Sequence, residues 1–239
     1  LQVAPSALPV LVLGETGTGK ELVARAVHEA SPRRAAPLKC VNCAAIPATL
    51  LEGMLFGHEK GAFTGADRAQ KGIFEQASGG TVLLDEVGEL TAQAQAALLR
   101  VLETKRVVRI GGDREIEVDV RLVAATHRDL EAMVESGGFR RDLLFRLDGV
   151  SIVLPPLRER GAEIDRLALL FVTEANRTNG RAIQGVAPDA LALLRRYAWP
   201  GNVRELKNAI ERAVVIARGD VVLAVDLPER IRRAAPAPA

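Results

Sequence analysis

Residues 14–21, GETGTGKE, constrain the fold of this chain more than any other stretch. They follow the apolar run PVLVLG, which begins at Pro9, and lead into KELVARAVHEA, where apolar residues recur at helical spacing. The sequence therefore predicts a strand, a glycine-rich loop and a helix in direct succession. That order is typical of a phosphate-binding loop, because glycines let backbone N–H groups approach phosphates and the helix N-terminus adds positive charge.

The candidate ligands of a nucleotide's phosphates are the loop residues Gly14, Glu15, Thr16, Gly17, Thr18, Gly19, Lys20 and Glu21. Lys20 is expected to reach the outer phosphates, and a glycine-rich turn without a ligand is the alternative. Glu21 follows the lysine at the position where such loops usually have Ser or Thr to hold magnesium. A magnesium ion must therefore rely on ligands elsewhere in the chain.

Those ligands are expected in GGTVLLDEVGE, residues 79–89, where an apolar strand delivers Asp85 and Glu86 at its carboxyl end. Ligands of open α/β sheets bind at that edge, so both carboxylates are predicted to face the phosphates. Asp85 would hold Mg²⁺, and Glu86 would take the proton of an attacking water. Two carboxylates that only cap a strand are the alternative. Together with the loop, the pair indicates hydrolysis of a nucleoside triphosphate.

Strand-like runs alternate with helical patterns through the first two thirds of the chain. VRLVAAT (120–126) and VSIVLPP (150–156) add strands, and a hairpin-like stretch surrounds RIGGDREIEV. A helix is predicted to begin after Thr91, whose hydroxyl suits an N-cap. Such alternation predicts a parallel sheet with helices on both faces.

Behind the last of these strands the β-type runs stop and the patterns are helical. Pro188 suits a first helical turn, and Asn202 is the predicted N-cap of the last long helix. We therefore predict an α/β domain over residues 1–160 and a small all-helical domain over residues 161–235. The tail RRAAPAPA is expected to be loose.

The composition fits a globular protein and identifies no partner by itself. Apolar residues make up 48% of 239 residues, enough for a sizeable core, and the formal charge of +2 is too small to argue for nucleic acid or an anionic membrane. The apolar runs are far shorter than a bilayer span, and no basic leader with a cleavage site is recognisable. We expect a cytoplasmic protein without a membrane partner.

Cys40 and Cys43 are the two cysteines, and their C-x-x-C spacing admits zinc or redox chemistry. Zinc needs further ligands, whereas His28, His58 and His127 lie in unrelated contexts. A redox pair prefers a helix N-terminus, but PLKCVNC is typical of a buried strand. We therefore interpret both thiols as small buried apolar groups.

Seven stretches, in order, resemble a known family: GETGTGKE, VNCAA, LFGHEKGAFTGA, GGTVLLDEVGE, FRRDLLFRL, PLRER and WPGNVRELKN. They resemble the central AAA+ domain of bacterial enhancer-binding activators, the nitrogen-regulator type that works on sigma-54 RNA polymerase. The resemblance covers nearly the whole chain. It implies an α/β AAA+ P-loop NTPase domain with a parallel sheet between helices, a small all-helical lid, and ATP and Mg²⁺ as cofactors.

The GAFTGA element is close to diagnostic of that family. By resemblance it tips a surface loop that changes with the nucleotide state and grips the sigma factor, and its residues are Gly61, Ala62, Phe63, Thr64, Gly65 and Ala66. Phe63 would offer apolar contact and Thr64 a hydrogen-bonding tip. A plain surface turn is the alternative. Residues 108–119, VRIGGDREIEVD, resemble the family's second loop.

The resemblance also implies roles for four side chains outside these loops. Arg140 and Arg146 match arginines that reach a neighbour's γ-phosphate, so the chain is expected to work as a ring, a hexamer; ordinary surface charges are the alternative. Arg204 matches the second sensor, although an ion pair with a carboxylate would also satisfy it. Asn42 matches the polar residue that holds the catalytic Glu86 in check.

Some positions depart from the family's pattern. Gly53 and Met54 stand where a serine and an acidic residue are common, and Thr126 is followed by His127 where asparagine is frequent. The family also carries an N-terminal regulatory domain and a C-terminal helix-turn-helix, so the chain is expected to be an excised central domain.

The resemblance implies an ATP-hydrolysing ring that acts on sigma-54 RNA polymerase holoenzyme to open promoter DNA, with any DNA contact secondary. Two other functions stay open from the sequence. One is an AAA+ remodeller of another client, against which the GAFTGA element argues. The other is a nucleotide-gated scaffold that does not need hydrolysis, against which Asp85, Glu86 and the arginine pair argue less decisively.

Overall fold

The computed structural model describes residues 2–63 and 65–233. In chain order its strands are β1 Val10–Leu13, β2 Leu38–Asn42, β3 Gly57–His58, β4 Gln70–Lys71, β5 Thr81–Asp85, β6 Arg106–Val108, β7 Glu115–Glu117, β8 Arg121–Thr126, β9 Val150–Val153, β10 Gly185–Val186 and β11 Val221–Val222. Its α-helices are α1 Lys20–Glu29, α2 Ala48–Phe56, α3 Ile73–Gln76, α4 Ala92–Thr104, α5 Leu130–Glu135, α6 Arg141–Leu147, α7 Ile164–Asn179, α8 Pro188–Arg196, α9 Asn202–Ile216 and α10 Glu229–Arg232. None of these helices is long and apolar enough for a transmembrane span.

The main sheet has five parallel strands in the order β2-β5-β8-β1-β9. Every residue of β8 and four of the five in β5 are buried, so alternate side chains of the central strands are covered on opposite faces. Continuous apolar runs such as VLVL and TVLL predict this double burial. The predicted parallel sheet between helices is confirmed.

The register of the sheet brings four strand ends to one edge. Asn42 at the end of β2 pairs with Asp85 at the end of β5, and Thr126 at the end of β8 pairs with Leu13 at the end of β1. The carboxyl ends of parallel strands therefore deliver polar side chains to the same edge as the loop that follows β1.

Contacts divide the chain into two compact units. The α/β unit contains the residues up to Gly14 and Lys20–Val153, and the helical unit contains Glu15–Gly19 and the residues from Leu154 onward. The core of the α/β unit includes Leu84 of β5 and Leu98 of α4. Five residues of the glycine-rich loop are thus grouped with the helical unit, and the chain passes between the units at both ends of this segment.

The helical unit packs around Trp199, which is fully buried and donates its indole N–H to the carbonyl of Leu194 at 2.8 Å. Pro188 occupies the first turn of α8, as predicted. The expectation that β structure stops after β9 is wrong in one detail, because the two-residue strands β10 and β11 pair in parallel. Strands this short leave no periodic pattern in the sequence. Of the predicted loose tail RRAAPAPA, Arg232 is the last residue of α10 and Arg233 is its C-cap, whereas the residues from Ala234 onward lie outside the described residues.

The predicted N-caps of two helices have different outcomes. Thr91 caps α4, and its hydroxyl accepts from the N–H of Ala94 at 3.0 Å. Asn202 does not cap α9, because Gly201 is the N-cap residue. Asn202 has a left-handed backbone with φ of 52°, and its side chain forms other hydrogen bonds. The carboxylate of Glu205 instead accepts from the N–H of Gly201 at 2.9 Å.

The two cysteines differ in exposure because β2 is an edge strand. Cys40 is exposed, contrary to the prediction of a buried strand, whereas Cys43 is 3% exposed. Burial raises the pKa of the Cys43 thiol to about 12, and burial also raises the pKa of Cys40. A raised thiol pKa disfavours the thiolate that redox chemistry or zinc binding requires.

We predict that a thiol reagent at pH 8 distinguishes the two cysteines. Cys43→Ser should leave a thiol that reacts readily, whereas Cys40→Ser should leave one that reacts about 100-fold more slowly until the protein unfolds, because burial hinders both access and ionisation. The release of thionitrobenzoate measures both rates. Equal rates in the two folded variants would contradict the edge position of Cys40.

Candidate functional site

The glycine-rich loop joins β1 to α1 and ends at a buried ammonium. Gly17 and Gly19 have left-handed backbones, with φ of 83° and 102°, which non-glycine residues rarely adopt. Lys20 is 6% exposed, and its Nζ donates to the carbonyl of Gly14 at 2.9 Å. Burying a cation is costly unless negative groups surround it, so this position suits a lysine that faces phosphate charge.

Asp85 lies at the carboxyl end of β5, beside the end of β2. The amide Nδ2 of Asn42 donates to its Oδ2 at 3.0 Å. Burial raises the pKa of Asp85, the charge of Glu86 raises it further, and the charge of Lys20 acts in the opposite direction. A divalent cation would relieve both penalties, because it stabilises the ionised carboxylate.

The donor set around Asp85 fits magnesium better than a cage built of protein ligands. Among residues 2–63 and 65–233, no group of three or more His, Cys, Asp or Glu side chains is arranged to hold a metal. Magnesium is usually held by one or two carboxylates together with phosphates and water. Asp85 is therefore suited to share such an ion with a nucleotide.

Glu86 has two partners, one on each carboxylate oxygen. Its Oε1 lies 3.7 Å from Nζ of Lys20, and its Oε2 accepts from the backbone N–H of His127 at 3.2 Å and lies 2.7 Å from His127 Nδ1. The backbone of Glu86 is left-handed, with φ of 55°. Such strain in a non-glycine residue often marks a functional position.

The expected contact between Asn42 and Glu86 is therefore not the one that forms. Asn42 binds Asp85, with which it is in register, and its carbonyl oxygen accepts from the N–H groups of Ala44 and Ala45. His127 contacts Glu86 instead. In the sequence, His127 stands out only because the family frequently has asparagine at this position. That departure is the one sequence signal for the contact between His127 and Glu86.

The segment Glu15–Gly19 is hydrogen-bonded within the helical unit. Glu15 accepts from Arg158 and Asn202, the carbonyl of Thr16 accepts from Asn202 at 3.0 Å, and the carbonyl of Gly17 accepts from the backbone N–H of Arg204 at 3.2 Å. The involvement of Arg158 and Asn202 was not predicted.

The remaining predicted ligands of the loop differ in their surroundings. Thr18 is 4% exposed, and its hydroxyl donates to the carbonyl of Glu15 at 2.8 Å. Glu21 instead lies on the exposed side of α1 and accepts from Arg25 at 2.7 Å. Arg204 has an exposed side chain in the first turn of α9.

Arg140 and Arg146, the arginines of FRRDLLFRL with a predicted role, lie at opposite ends of α6. Arg140 precedes the helix and pairs with Asp142 at 2.6 Å, and Arg146 donates to the carbonyl of Leu102 at 3.2 Å. Between them Phe145 is 69% exposed, unusual for a large apolar side chain. Helix α6 and the residue before it thus carry these two cationic side chains and one exposed aromatic side chain.

The GAFTGA segment is a tight loop between β3 and β4, which pair antiparallel. The N–H of Gly61 donates to the carbonyl of Ala66 at 2.9 Å, so the ends of the segment lie together. Gly61 and Gly65 have left-handed backbones, with φ of 81° and 95°. Thr64, the predicted hydrogen-bonding tip, lies outside the described residues.

Phe63 is 39% exposed and packs its ring against His58, with ring centroids 4.9 Å apart. A Cβ added at Gly53 would lie 3.7 Å from this phenylalanine ring and 3.7 Å from Nδ1 of the histidine, which is ordinary contact. Gly53, which stands where the family commonly has a serine, therefore has room for a Cβ atom, and its backbone conformation does not require glycine.

Residues 108–119, which are expected to form the family's second loop, contact the loop that contains the GAFTGA segment. Strand β6, which ends at Val108, and strand β7 within residues 108–119 form the predicted hairpin. Arg109 binds Glu75 at 2.7 Å and Glu59 at 3.0 Å, and Ala62 lies against Gly111 so closely that a Cβ on the glycine would be 2.8 Å away. The two loops are thus joined by charge and by close packing.

Comparison with known proteins gives two family matches. The family described as "Sigma-54 interaction domain" matches residues 1–153, and the family described as "AAA+ ATPase lid domain" matches residues 158–239. Together they account for nearly the whole chain, in the order that the fold shows.

Individual curated proteins are similar to the chain over nearly its whole length. The chain is 51% identical to Regulatory protein AtoC of Escherichia coli over 97% of its own length and 50% of that protein, and 51% identical to Nitrogen fixation protein AnfA of Azotobacter vinelandii over 97% of its length and 43% of that protein. It therefore spans about half the length of the curated relatives it matches.

Among solved structures, NtrX from Brucella abortus in complex with ADP superposes with a TM-score of 0.90 at 37% identity, covering 99% of this chain and 53% of that one. NtrX has also been solved in complex with ATP. Matches of this extent establish membership of a family: the chain belongs to the sigma-54 interaction domain family of AAA+ ATPases, and it carries that family's helical lid.

Proposed function

We propose that this chain binds ATP with Mg²⁺, hydrolyses it as a ring, and uses the cycle to act on sigma-54 RNA polymerase holoenzyme at a closed promoter. The observation that carries the proposal is the convergence of Lys20, Asp85 and Glu86 in the α/β unit, with Lys20 and Glu86 3.7 Å apart. The complexes of NtrX with ADP and with ATP support a nucleotide as the ligand.

Each of these side chains has a distinct role in the proposed reaction. Lys20 neutralises charge on the outer phosphates, and Asp85 holds Mg²⁺, which when bound supplies further positive charge to the phosphates. Glu86 accepts a proton from water as the water oxygen bonds to the γ-phosphorus and the bond to the β-phosphate oxygen breaks. The hydrogen bonds from His127 aim the carboxylate.

The contact between Lys20 and Glu86 suggests how the base is released. The ammonium of Lys20 interacts with Oε1 of Glu86, and the phosphate oxygens of a nucleotide would compete for the same charge. Glu86 then keeps its hydrogen bonds to His127 on the other oxygen. Binding of the substrate thereby frees one carboxylate oxygen to act on water.

Self-association is proposed from α6. Arg140 and Arg146 carry charge that a neighbouring copy's γ-phosphate could use in the transition state. Phe145, which lies between them in the sequence, has an exposed ring that would be covered by a second copy of the chain. In a closed hexameric ring every interface is the same head-to-tail contact, so each subunit gives its arginines to one neighbour and receives those of the other.

Engagement of sigma-54 is proposed from the loop between β3 and β4. Its close contacts with the hairpin β6–β7 provide a support that could move the loop as one piece. Phe63 offers a partly exposed aromatic surface of the kind that protein interfaces use. Contact with promoter DNA would be secondary, because the net charge of +2 gives little attraction to phosphates.

A co-elution experiment tests the whole proposal. The chain is mixed with purified sigma-54 and applied to a sizing column, once with ADP and aluminium fluoride and once without nucleotide. Co-elution only with the mimic supports the proposal. Loss of binding with ATP hydrolysis intact would favour a remodeller of another client, and binding without hydrolysis would favour a nucleotide-gated scaffold.

Thr64→Ala should spare ATP hydrolysis and abolish the co-elution with sigma-54, because it removes the hydroxyl at the proposed contact while the groups that bind phosphate stay in place. Thr64→Ser keeps the hydroxyl and is the matched control. Phosphate release and sizing chromatography give the two readouts. Full retention of sigma-54 binding by the alanine variant would exclude this residue from the interface.

Mixing two inactive variants tests whether arginine acts on a neighbouring subunit. Glu86→Gln and Arg146→Ala should each lower the rate per subunit by about 100-fold or more, through loss of the base and of a transition-state charge. Their equimolar mixture should recover at least about tenfold, because some sites combine an intact Glu86 with a neighbour's intact Arg146.

Arg141→Ala is the control for this experiment, since Arg141 lies beside the pair without an assigned role. It should hydrolyse ATP at close to the wild-type rate. Mixed rings in which activity does not recover would contradict catalysis across the subunit boundary.

A further inference from the structure

The phosphate-binding loop has a second set of contacts that no catalytic role explains. Its segment Glu15–Gly19 belongs to the helical unit, in which polar groups of Arg158, Asn202 and Arg204 bind three consecutive loop residues. The loop's shape therefore depends on side chains about 140 to 190 positions away in the sequence, as far apart as Glu15 and Asn202.

Asn202 is the most constrained of these side chains. It is 0% exposed, and its Oδ1 accepts from the N–H of Leu157 at 2.8 Å. That bond requires the amide nitrogen to point the other way, where it donates to Glu15 Oε2 and to the carbonyl of Thr16, both at 3.0 Å. The amide thus satisfies three polar groups, and exchanging its oxygen and nitrogen would break all three contacts.

Glu15 is held from two directions. Both of its oxygens accept from Arg158, at 3.0 and 2.7 Å, in the two-pronged geometry that guanidinium and carboxylate groups favour. Hydrogen bonds from Arg158 and then from Asn202 lower the pKa of Glu15 to about 2. The carboxylate therefore stays ionised and bound throughout the physiological pH range.

The backbone of the loop fits this unit closely. A Cβ at Gly17 would lie 2.4 Å from the carbonyl oxygen of Gly201, so the two glycine backbones touch. Gly201 is itself fixed by the carboxylate of Glu205, which also accepts from Tyr197 and Arg230. The turn before α9 is thus held by hydrogen bonds to Glu205, and the loop backbone packs against it.

We propose that Arg158 and Asn202 are positioning residues that set nucleotide affinity by holding Glu15–Gly17 in the shape that receives phosphates. They act through Glu15 and the loop backbone rather than by touching the nucleotide. This inference rests on the proposed function, because it takes the ligand of the loop to be ATP or ADP. It also gives Glu15 a structural purpose in addition to its predicted place among the ligands.

The test measures the affinity for a fluorescent ADP together with KM and kcat for ATP. Asn202→Asp keeps the shape and the acceptor for Leu157, but it replaces the donor that faces Glu15 with an oxygen. Dissociation constant and KM should both rise about tenfold, the loss expected for a hydrogen bond to a charged group, while kcat changes much less.

Rescue by a second substitution separates positioning from damage. In the double variant Glu15→Gln/Asn202→Asp, the glutamine amide nitrogen can donate to the new carboxylate while its oxygen still accepts from one nitrogen of Arg158, so affinity should recover at least about threefold relative to Asn202→Asp alone. Arg158→Ala, at an exposed position, is a second variant that should weaken binding several-fold. Arg195→Ala breaks an ion pair with Asp165 elsewhere in the same unit and is the matched control.

The emission of the single tryptophan, Trp199, reports whether each variant is folded. Unchanged affinity in folded Asn202→Asp and Arg158→Ala overturns the inference while leaving the proposed function intact. Failure of the double variant to recover, with Arg158→Ala also binding normally, has the same meaning. If the wild-type protein binds neither nucleotide, the proposed function fails and this inference fails with it.

Discussion

The buried ammonium of Lys20 is the charge on which the candidate site depends. At 6% exposure it cannot rely on water, and the groups that compensate it include the carbonyl of Gly14 and the carboxylate of Glu86. The same charge opposes the rise in the pKa of Asp85. The proposed catalytic groups are therefore linked electrostatically to one another, and the phosphates of ATP would enter a site that contains both signs of charge.

The sequence predicted the parts of the site that follow from local patterns. A glycine-rich loop between an apolar run and an amphipathic helix, and Asp85 and Glu86 at the end of a second apolar run, need no knowledge of distant contacts. The partners of these groups could not be predicted in the same way. Asn42 meets Asp85 through the register of two strands, His127 reaches Glu86 from a third strand end, and Asn202 departs from its expected N-cap because its backbone is left-handed.

In the α/β unit, the proposed catalytic groups and the exposed aromatic side chains lie on different elements. The polar strand ends form the site in the α/β unit, whereas the exposed aromatic side chains of that unit lie on α6 and on the loop between β3 and β4. Phe145 and Phe63 are thus available to a second copy and to a client without disturbing the buried core. Membership of the sigma-54 interaction domain family is consistent with an exposed surface that a protein partner could contact.

A crystal structure of the chain with Mg²⁺ and a non-hydrolysable ATP analogue would show whether the proposed catalytic groups act on a nucleotide. In that structure Lys20 should contact the outer phosphates, Asp85 should lie beside the metal, and Glu86 should lose its contact with Lys20 while it keeps its contact with His127. An analogue bound with Lys20 still paired to Glu86 and with no phosphate at its ammonium would exclude the proposed roles of Lys20 and Glu86.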